Sequence, residues 1–289
     1  MRPFRCRPCR LCYNGRMEEL YPLTFRPNVH TALWGEESWE ISGHHTSPSV
    51  VAEGPLAGRT LEELAALYGR KLTGTRAPSA DRFPLLFKVI DARKRLSVQV
   101  HPNETTSLVT GGEPKTEMWY VLGGTGPIFA GLKKGTTPAV VEDDVRTGRF
   151  EDTLVRHAAT PGATFFIPGG LVHAIGEDVL VYEVQQSSNT TYRLYDWGRT
   201  DADGKPRPLH VAESLKSIDF SLPEPEARSG AACPFFTFHQ VDSTGKLEVP
   251  ANPKTFTALF IVDERKSILV PACCGTTVKC NGKVLVTTL

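Results

Sequence analysis

Two side chains that could bind a metal ion lie two positions apart in segment 96–101. The segment reads Leu-Ser-Val-Gln-Val-His, and this alternation predicts a β-strand with Ser97, Gln99 and His101 on one face and apolar residues on the other. If the strand lines a barrel, Gln99 and His101 point to a shared centre, as metal ligands on one strand must. The alternative is a solvent-facing edge strand, in which Ser, Gln and His are ordinary residues.

A carboxylate and an ammonium group lie two residues apart in the next strand-like segment, 115–121. Lys115 and Glu117 share one face at the start of that strand. Glu117 could therefore supply a carboxylate oxygen to the same centre. The alternative is a surface Lys-Glu pair beside a core tryptophan, Trp119.

A second histidine follows a turn of a recognisable type. Gly162, Pro168, Gly170 and His173 fit the pattern G-x5-P-x-G-x2-H, which resembles the second motif of cupin barrels. In this pattern Pro and Gly set a tight turn after an apolar strand, and the histidine then enters the barrel opposite the earlier strands. The alternative is a buried core histidine that binds no metal.

Taken together, the three segments offer one amide oxygen, two imidazoles and one carboxylate. Nitrogen and oxygen ligands without a thiolate suit a borderline divalent ion such as Zn²⁺, and leave room for a substrate or a water molecule. The residues therefore predict a metal site of catalytic type, held by Gln99, His101, Glu117 and His173.

The elements that must position these residues are mainly short strands. One helix is marked by a capping box of Thr60 and Glu63 before an apolar stripe, and a second short helix is predicted over 211–218. Nearly all other segments are short alternating or apolar runs broken by Gly, Pro and Asn, which predicts a β-barrel or β-sandwich. In the C-terminal tail we predict four strands, with a hairpin turn at Asn281-Gly282 between the last two.

The composition is that of an ordinary globular chain. Its 289 residues carry 33 basic and 32 acidic side chains, and 40% are hydrophobic, so a sizeable core can form. The net charge of +1 argues against a nucleic-acid partner and against binding to a membrane surface. Since no apolar run approaches the roughly 18–20 residues that span a bilayer, and no signal-peptide core is found, we predict a cytoplasmic protein.

Changes in composition divide the chain into four parts. Residues 1–16 contain five arginines and no acidic residue, and we expect a disordered or mis-started extension there. Residues 17–221 are predicted to form the N-terminal catalytic domain, and the Pro/Glu-rich stretch 222–230 a linker. Residues 231–289 are predicted to form a C-terminal β domain that is completed by strands from elsewhere in the chain.

The seven cysteines fall into two groups. Cys6, Cys9 and Cys12 have a spacing that could hold a metal ion or a cluster, although a fourth ligand is missing nearby. An odd total does not suit a secreted disulfide framework. We therefore expect reduced thiols at the remaining four positions, which are Cys233, Cys273, Cys274 and Cys280.

Four stretches, in this order and at this spacing, connect the chain to a known family. They read LSVQVHP, KTEMWYV, IPGGLVHAIG and QQSSNTTYRLYDWGR. These stretches resemble the type I phosphomannose (mannose-6-phosphate) isomerases, particularly the short bacterial form, and the resemblance extends from about Leu20 to the C-terminus. It implies a mainly β fold of two cupin (jelly-roll) barrels with a few short helices. It also implies one zinc ion per chain, bound by Gln99, His101, Glu117 and His173.

The resemblance implies roles for residues outside the metal site as well. Arg193 matches a family arginine beside C1 and C2 of the sugar that is proposed to assist catalysis, and Lys115 matches a lysine in the substrate pocket. Ser97 matches a position thought to help bind the phosphate. One position departs from the family: Asn189 stands where well-studied members have Asp, so a charge that could aid proton transfer or orient the arginine is lost.

The reaction implied by the resemblance is the interconversion of mannose 6-phosphate and fructose 6-phosphate. It proceeds through a cis-enediol, and the zinc would orient the open-chain sugar and stabilise negative charge on O1 and O2. The general base stays open among Lys115, Glu117 and a zinc-bound water. The expected partner is a small sugar phosphate, and the expected assembly is a monomer or a weak dimer.

Two other functions stay open. One is a different cupin metalloenzyme that uses iron or manganese, although three histidines and a glutamate would be expected there and position 99 is Gln. The other is a non-catalytic sugar-binding cupin, to which only Asn189 points.

Overall fold

The computed structural model describes residues 12–13, 16–200 and 203–289, and only the backbone of residues 12, 13, 16 and 17. Cys6 and Cys9 lie outside the described residues, as does the side chain of Cys12. The strands are β1 (Cys12–Tyr13), β2 (Arg16–Met17), β3 (Val29–Ala32), β4 (Gly35–Ser42), β5 (Leu85–Ala92), β6 (Val98–Val100), β7 (Glu117–Gly124), β8 (Pro127–Leu132), β9 (Leu154–Ala158), β10 (Thr164–Ile167), β11 (His173–Ile175), β12 (Val179–Gln186), β13 (Tyr192–Tyr195), β14 (Ala231–Ala232), β15 (Thr237–Val249), β16 (Thr257–Ile261), β17 (Lys266–Val270) and β18 (Thr276–Thr288). The helices are α1 (Leu61–Tyr68), α2 (Arg70–Thr73), α3 (Ser107–Thr110), α4 (Pro138–Thr147) and α5 (Val211–Ser217), with a 3₁₀ helix at Phe150–Thr153.

Three antiparallel sheets form most of the described structure, and β1 and β2 pair as a separate two-stranded ribbon. The first sheet has six strands in the order β10-β7-β12-β5-β4-β3. The second has five strands in the order β13-β6-β11-β8-β9, and the third has five in the order β14-β15-β18-β16-β17. The prediction of a mainly β fold with few helices is confirmed.

The six-stranded sheet is buried on both faces. Along β12, Val179 and Val181 pack with residues of the five-stranded second sheet, whereas Tyr182 and Val184 pack with the third sheet and α1. Side chains of a strand point alternately to opposite faces, so a strand covered on both sides is apolar at nearly every position. The polar exceptions within such strands are therefore the positions that need a chemical explanation.

Helices cover the outer face of the second sheet. Val98 and Val100 of β6 pack there with Val141 of α4 and Leu215 of α5. The apolar side of β6 thus faces outward, as the alternation in the sequence predicts, and its polar side faces the six-stranded sheet. The predicted helix at 211–218 is confirmed as α5.

Helix α1 begins as the sequence predicts. The hydroxyl of Thr60 accepts a hydrogen bond from the backbone amide of Glu63 at 3.1 Å, and the carboxylate of Glu63 accepts one from the amide of Thr60 at 3.1 Å. These two bonds satisfy amide groups that the first turn of a helix leaves unpaired.

The C-terminal tail differs from its prediction. Five strands form there, not four, and the hairpin turn at Asn281-Gly282 is wrong, because both residues lie inside β18 opposite Thr244 and Ser243 of β15. Gly282 has φ of +80°, and a Cβ atom there would lie 2.1 Å from Oδ2 of Asp263. Glycine is therefore needed here because the side chain of Asp263 lies so close to the backbone, and not because the chain turns.

The predicted division into domains stays a proposal. We base it on sheet membership: among the described residues, the first and second sheets use strands before residue 222, and the third uses strands after residue 230. An isolated bridge from Leu23 to Leu269 of β17 connects the two predicted domains, and another from Arg228 to Thr164 of β10 connects the predicted linker to the first sheet. Within the described ranges the longest helix has ten residues, and none is long and apolar enough to cross a lipid bilayer.

Phe260 tests the contact between the first and third sheets. Its side chain is fully buried and stacks on Tyr182, with ring centroids 4.4 Å apart. Phe260→Ala leaves a cavity between the sheets and should lower the free energy of unfolding by about 3–5 kcal/mol. Urea denaturation measures this change. The matched control Phe220→Ala, at a side chain that is 38% exposed, should cost less than about 1 kcal/mol, and equal losses in both variants would contradict the packing described.

Candidate metal centre

Three predicted ligands come together between the first and second sheets, which pack face to face and form the barrel that holds the site. His101 directly follows β6, Glu117 is the first residue of β7, and His173 is the first residue of β11. One potential ligand atom from each residue lies within 4.8 Å of the other two, and all three side chains are buried. The sequence motifs are far apart along the chain, but the two sheets bring them to one point.

The carboxylate of Glu117 lies between the two imidazoles. Its Oε2 is 3.5 Å from Nε2 of His101, and its Oε1 is 3.4 Å from Nε2 of His173. Nδ1 of His173 lies 2.8 Å from the backbone carbonyl of Leu171. Because a carbonyl can only accept, Nδ1 carries the proton and Nε2 presents its lone pair to the centre, which is the tautomer that a metal ligand needs.

Unpaired polar atoms at this point fit a cation. Nε2 of His173 and Oε1 of Glu117 are buried and have no hydrogen-bond partner among the described residues. A buried acceptor without a partner is costly, so such atoms call for a ligand. Two imidazole nitrogens and a carboxylate oxygen are the donor set of catalytic zinc sites, so the residues present fit a borderline divalent ion.

A tight turn places His173 in this position. The amide of Leu171 donates to the carbonyl of Pro168 at 3.1 Å, which closes the turn predicted from the motif. Gly170 within it has φ of +99°, a backbone conformation that favours glycine. The amide of Gly170 also donates to the carbonyl of His101 at 2.8 Å, so the turn holds the segments of both histidines together.

Lys115 joins the centre as a cation. Its Nζ lies 2.8 Å from Oε2 of Glu117 and 3.1 Å from Nε2 of His101, and the side chain is buried. Its backbone amide donates to the carbonyl of Pro102 at 2.9 Å, which ties the residues before β7 to those after β6. The predicted pocket lysine therefore stands directly beside the candidate ligands.

Burial keeps both histidines neutral. It lowers the pKa of His173 to about 3 and holds the pKa of His101 well below its usual value. Burial also raises the pKa of Glu117 to about 7, with the nearby Glu183 adding to the rise and Lys115 opposing it. A cation at the centre would favour the ionised carboxylate, because an adjacent positive charge lowers a carboxyl pKa.

Four further residues were singled out in the sequence: Gln99, Arg193, Ser97 and Asn189. Gln99 is directly opposite His173 of β11 and Arg193 of β13, so the three side chains share one face of the second sheet. Arg193 is half-buried, and its Nε has no hydrogen-bond partner among the described residues. Ser97 is buried just before β6, whereas Asn189 is exposed in the loop between β12 and β13. Their roles stay predictions.

Sequence reasoning missed a second layer of buried charges. Nζ of Lys88 lies 3.4 Å from Oε2 of Glu37 and 3.6 Å from Oε1 of Glu183. Glu183 in turn accepts a hydrogen bond from Nε1 of Trp119 at 2.9 Å. Lys88 lies among the apolar residues 85–90 and Glu183 among the apolar residues 179–184, and a charge in such a run was the signal that could have identified them.

Comparisons with known proteins give one consistent family. Residues 14–119 match the model of the type I phosphomannose isomerase catalytic domain. The mannose-6-phosphate isomerase ManA of Bacillus subtilis is 39% identical over 224 residues, which cover 70% of each chain. A crystal structure of the mannose 6-phosphate isomerase from Bacillus subtilis superposes with a TM-score of 0.80 at 26% identity, covering 93% of this chain and 99% of that one. A zinc-bound holo structure of a mannose 6-phosphate isomerase has the same fold, with a TM-score of 0.70 at 14% identity over 92% of this chain and 98% of that one.

His173 tests whether the three residues hold an ion together. In His173→Ala, the purified protein should lose its stoichiometric zinc while its circular dichroism spectrum stays that of a folded β protein, because one of the few ligands is removed. Elemental analysis measures the metal. The matched control is His157→Ala, a half-buried histidine on β9 of the same sheet that contacts the carbonyl of Ala130; it should keep its zinc. Normal zinc content in His173→Ala would contradict the site.

Proposed function

We propose the function of this chain from its family, since it belongs to the type I phosphomannose isomerases, also called mannose-6-phosphate isomerases. The chain interconverts mannose 6-phosphate and fructose 6-phosphate. The observation that carries the proposal is the buried group of His101, Glu117 and His173 with the ammonium of Lys115 beside it. A site of this kind suits a reaction that builds negative charge on sugar oxygens.

The cofactor that we propose is one zinc ion per chain. His101, Glu117 and His173 would hold it, with Gln99 as the fourth protein ligand on the same face as His173. Bound there, zinc supplies positive charge that polarises the sugar oxygens O1 and O2. Nitrogen and oxygen donors without a thiolate favour this ion over softer ones.

The chain's own cations act on the charge that forms during isomerisation. The reaction moves a proton between C2 and C1 through a cis-enediol, so negative charge develops on the oxygens of both carbons. Burial acts to lower the pKa of Lys115, but Glu117 and Glu183 outweigh it and hold the pKa above its usual value. At neutral pH the Lys115 ammonium therefore donates hydrogen bonds to a sugar oxygen rather than taking up the C2 proton.

Arg193 is proposed as the second cation. A guanidinium stays charged throughout the physiological pH range, and its unpaired Nε leaves a donor available on the face that carries Gln99 and His173. Its Nη1 donates to the carbonyl of Pro208 at 2.9 Å, which fixes the direction of the side chain. Ser97 is proposed to donate its hydroxyl to the phosphate of the substrate.

We also propose a cytoplasmic location and a monomer or weak dimer. The four cysteines whose side chains the structure describes, Cys233, Cys273, Cys274 and Cys280, are unpaired thiols. Unpaired thiols are typical of a reducing compartment.

A coupled spectrophotometric assay of mannose 6-phosphate tests the activity and the metal together. The purified protein should convert mannose 6-phosphate, lose activity on chelation and regain it with Zn²⁺. The control is Mg²⁺, which should not restore the rate because it prefers sites made of oxygen ligands. Folded, zinc-loaded protein without turnover would contradict the proposal and favour a sugar-binding cupin, with Asn189→Asp as the next variant to assay.

Arg193→Ala tests the role of the second cation. If the guanidinium acts on the charge that develops in the chemical step, kcat should fall by about a hundredfold while KM changes little. Steady-state kinetics separate the two constants. The control is Arg156→Ala, an exposed arginine on β9 of the same sheet, which should leave both constants unchanged. A change confined to KM would assign Arg193 to substrate binding instead.

A further inference from the structure

Glu113 is the centre of a polar cluster outside the metal site. It lies in the loop between α3 and β7, two residues before Lys115. All four of its polar groups, the amide, the carbonyl and both carboxylate oxygens, have partners, and these partners lie in three other segments of the chain. The sequence around Glu113 contains no motif that indicates such a role.

The backbone of Glu113 joins the loop before β7 to the loop before β13. Its amide donates to the hydroxyl of Thr190 at 2.9 Å, and its carbonyl accepts from the hydroxyl of Ser188 at 3.1 Å. The amide of Thr190 donates to the same Ser188 hydroxyl at 3.2 Å. Asn189 lies between these two residues, so the loop that carries the family departure is held against the loop that carries Lys115.

The carboxylate of Glu113 connects these loops to two further segments. Oε1 accepts from Nη2 of Arg82 at 2.8 Å, and the same Arg82 nitrogen also donates to the carbonyl of Ser187 at 2.7 Å. Oε2 lies 3.3 Å from Nε2 of His44, which is buried. Because the amide of Thr46 donates to Nδ1 of His44, Nε2 carries the proton and donates to Glu113.

This cluster is poorly suited to a purely stabilising role. The side chains of Arg82 and Glu113 are 47% and 39% exposed, and ion pairs at that exposure contribute little to stability. The contacts instead hold two loops in position, and residues of these loops flank the candidate ligands. Displacements of about 1 Å in groups around a reacting centre can reduce rates by about a hundredfold.

We infer that Glu113 is a positioning residue that sets where Lys115 and the 187–190 loop stand relative to Glu117 and the two histidines. This inference rests on the proposed isomerase function, since the reaction is what the positioning serves. Glu113 itself does not touch the ligand atoms. The carboxylate acts through Arg82, which also donates to the carbonyl of Ser187, and through His44, while the backbone bonds to Ser188 and Thr190 join the two loops.

The variant Glu113→Gln tests this inference with little change in volume. The backbone bonds remain, but an amide cannot accept from Arg82 and from the His44 N–H at the same time, because one end of it is a donor. The matched control is Glu151→Gln. Glu151 pairs with Arg95 at 2.9 Å, with side chains that are 50% and 40% exposed, so it has nearly the same geometry and exposure without contact to either loop.

In the zinc-loaded protein, Glu113→Gln should lower kcat by about ten- to a hundredfold, keep one zinc per chain and unfold at the same temperature as the control. Glu151→Gln should keep the wild-type kcat. A merely structural role would instead lower the unfolding temperature and leave the kcat of the folded enzyme unchanged, and that result would overturn the inference.

Hydrogen–deuterium exchange provides a readout that does not depend on the substrate. Peptides covering 111–116 and 187–190 should exchange faster in Glu113→Gln and should be unchanged in Glu151→Gln. Unchanged exchange in both variants would overturn the inference even if the wild-type enzyme is active. If the wild-type protein does not convert mannose 6-phosphate, the proposed function fails on its own, and the exchange data still decide whether Glu113 fixes the two loops.

Discussion

The interior of the barrel depends on one fully buried carboxylate. Glu117 lies between two neutral imidazoles, with a single ammonium group beside it. Removing an ion from water costs several kcal/mol even after the protein relaxes. Including the second layer, three carboxylates, those of Glu37, Glu117 and Glu183, share the two ammonium groups of Lys88 and Lys115. A cation held by Glu117 and the imidazoles would add positive charge to this group and would use the lone pairs that no protein donor reaches.

The sheets are arranged so that this charge can be buried. The six-stranded sheet carries Glu117, Glu183 and Lys88 on its inner face, while its outer face packs against the third sheet through aromatic side chains such as Tyr182. Apolar burial on the outer face offsets the cost of the polar inner face, since each fully buried large side chain contributes roughly 1.5–3 kcal/mol. The C-terminal strands therefore stabilise the sheet that carries Glu117, but they supply no ligand to the site. This division of roles explains why a charged interior is compatible with a stable barrel.

The sequence predicted the parts of the site that follow local rules. Period-two alternation was enough to put Gln99 and His101 on the inner face, and the Pro168–Gly170 turn was enough to direct His173 inward. The strand over 96–101 is shorter than predicted, because Pro102 has no amide hydrogen and the ladder pairs only Val98–Val100.

Features that depend on distant partners could not be predicted in this way. Asn281-Gly282 has the composition of a hairpin turn, but its strand pairs with residues about forty positions earlier, and that partner overrides the local turn preference. Glu183 and Lys88 were missed for the same reason. Each is a charge in a largely apolar run, and only the register of β5 with β12 shows that the two charges lie opposite each other.

The placement of the functional groups on strands or loops explains why the loops need additional contacts. The ligand residues lie at or next to strands β6, β7 and β11, where ladder hydrogen bonds and packing on both sides already fix the backbone. Lys115 and Asn189 lie in loops that have fewer such constraints. Precision in these loops has to come from specific polar contacts, and the two hydrogen bonds between the Glu113 backbone and the 187–190 loop are contacts of this type.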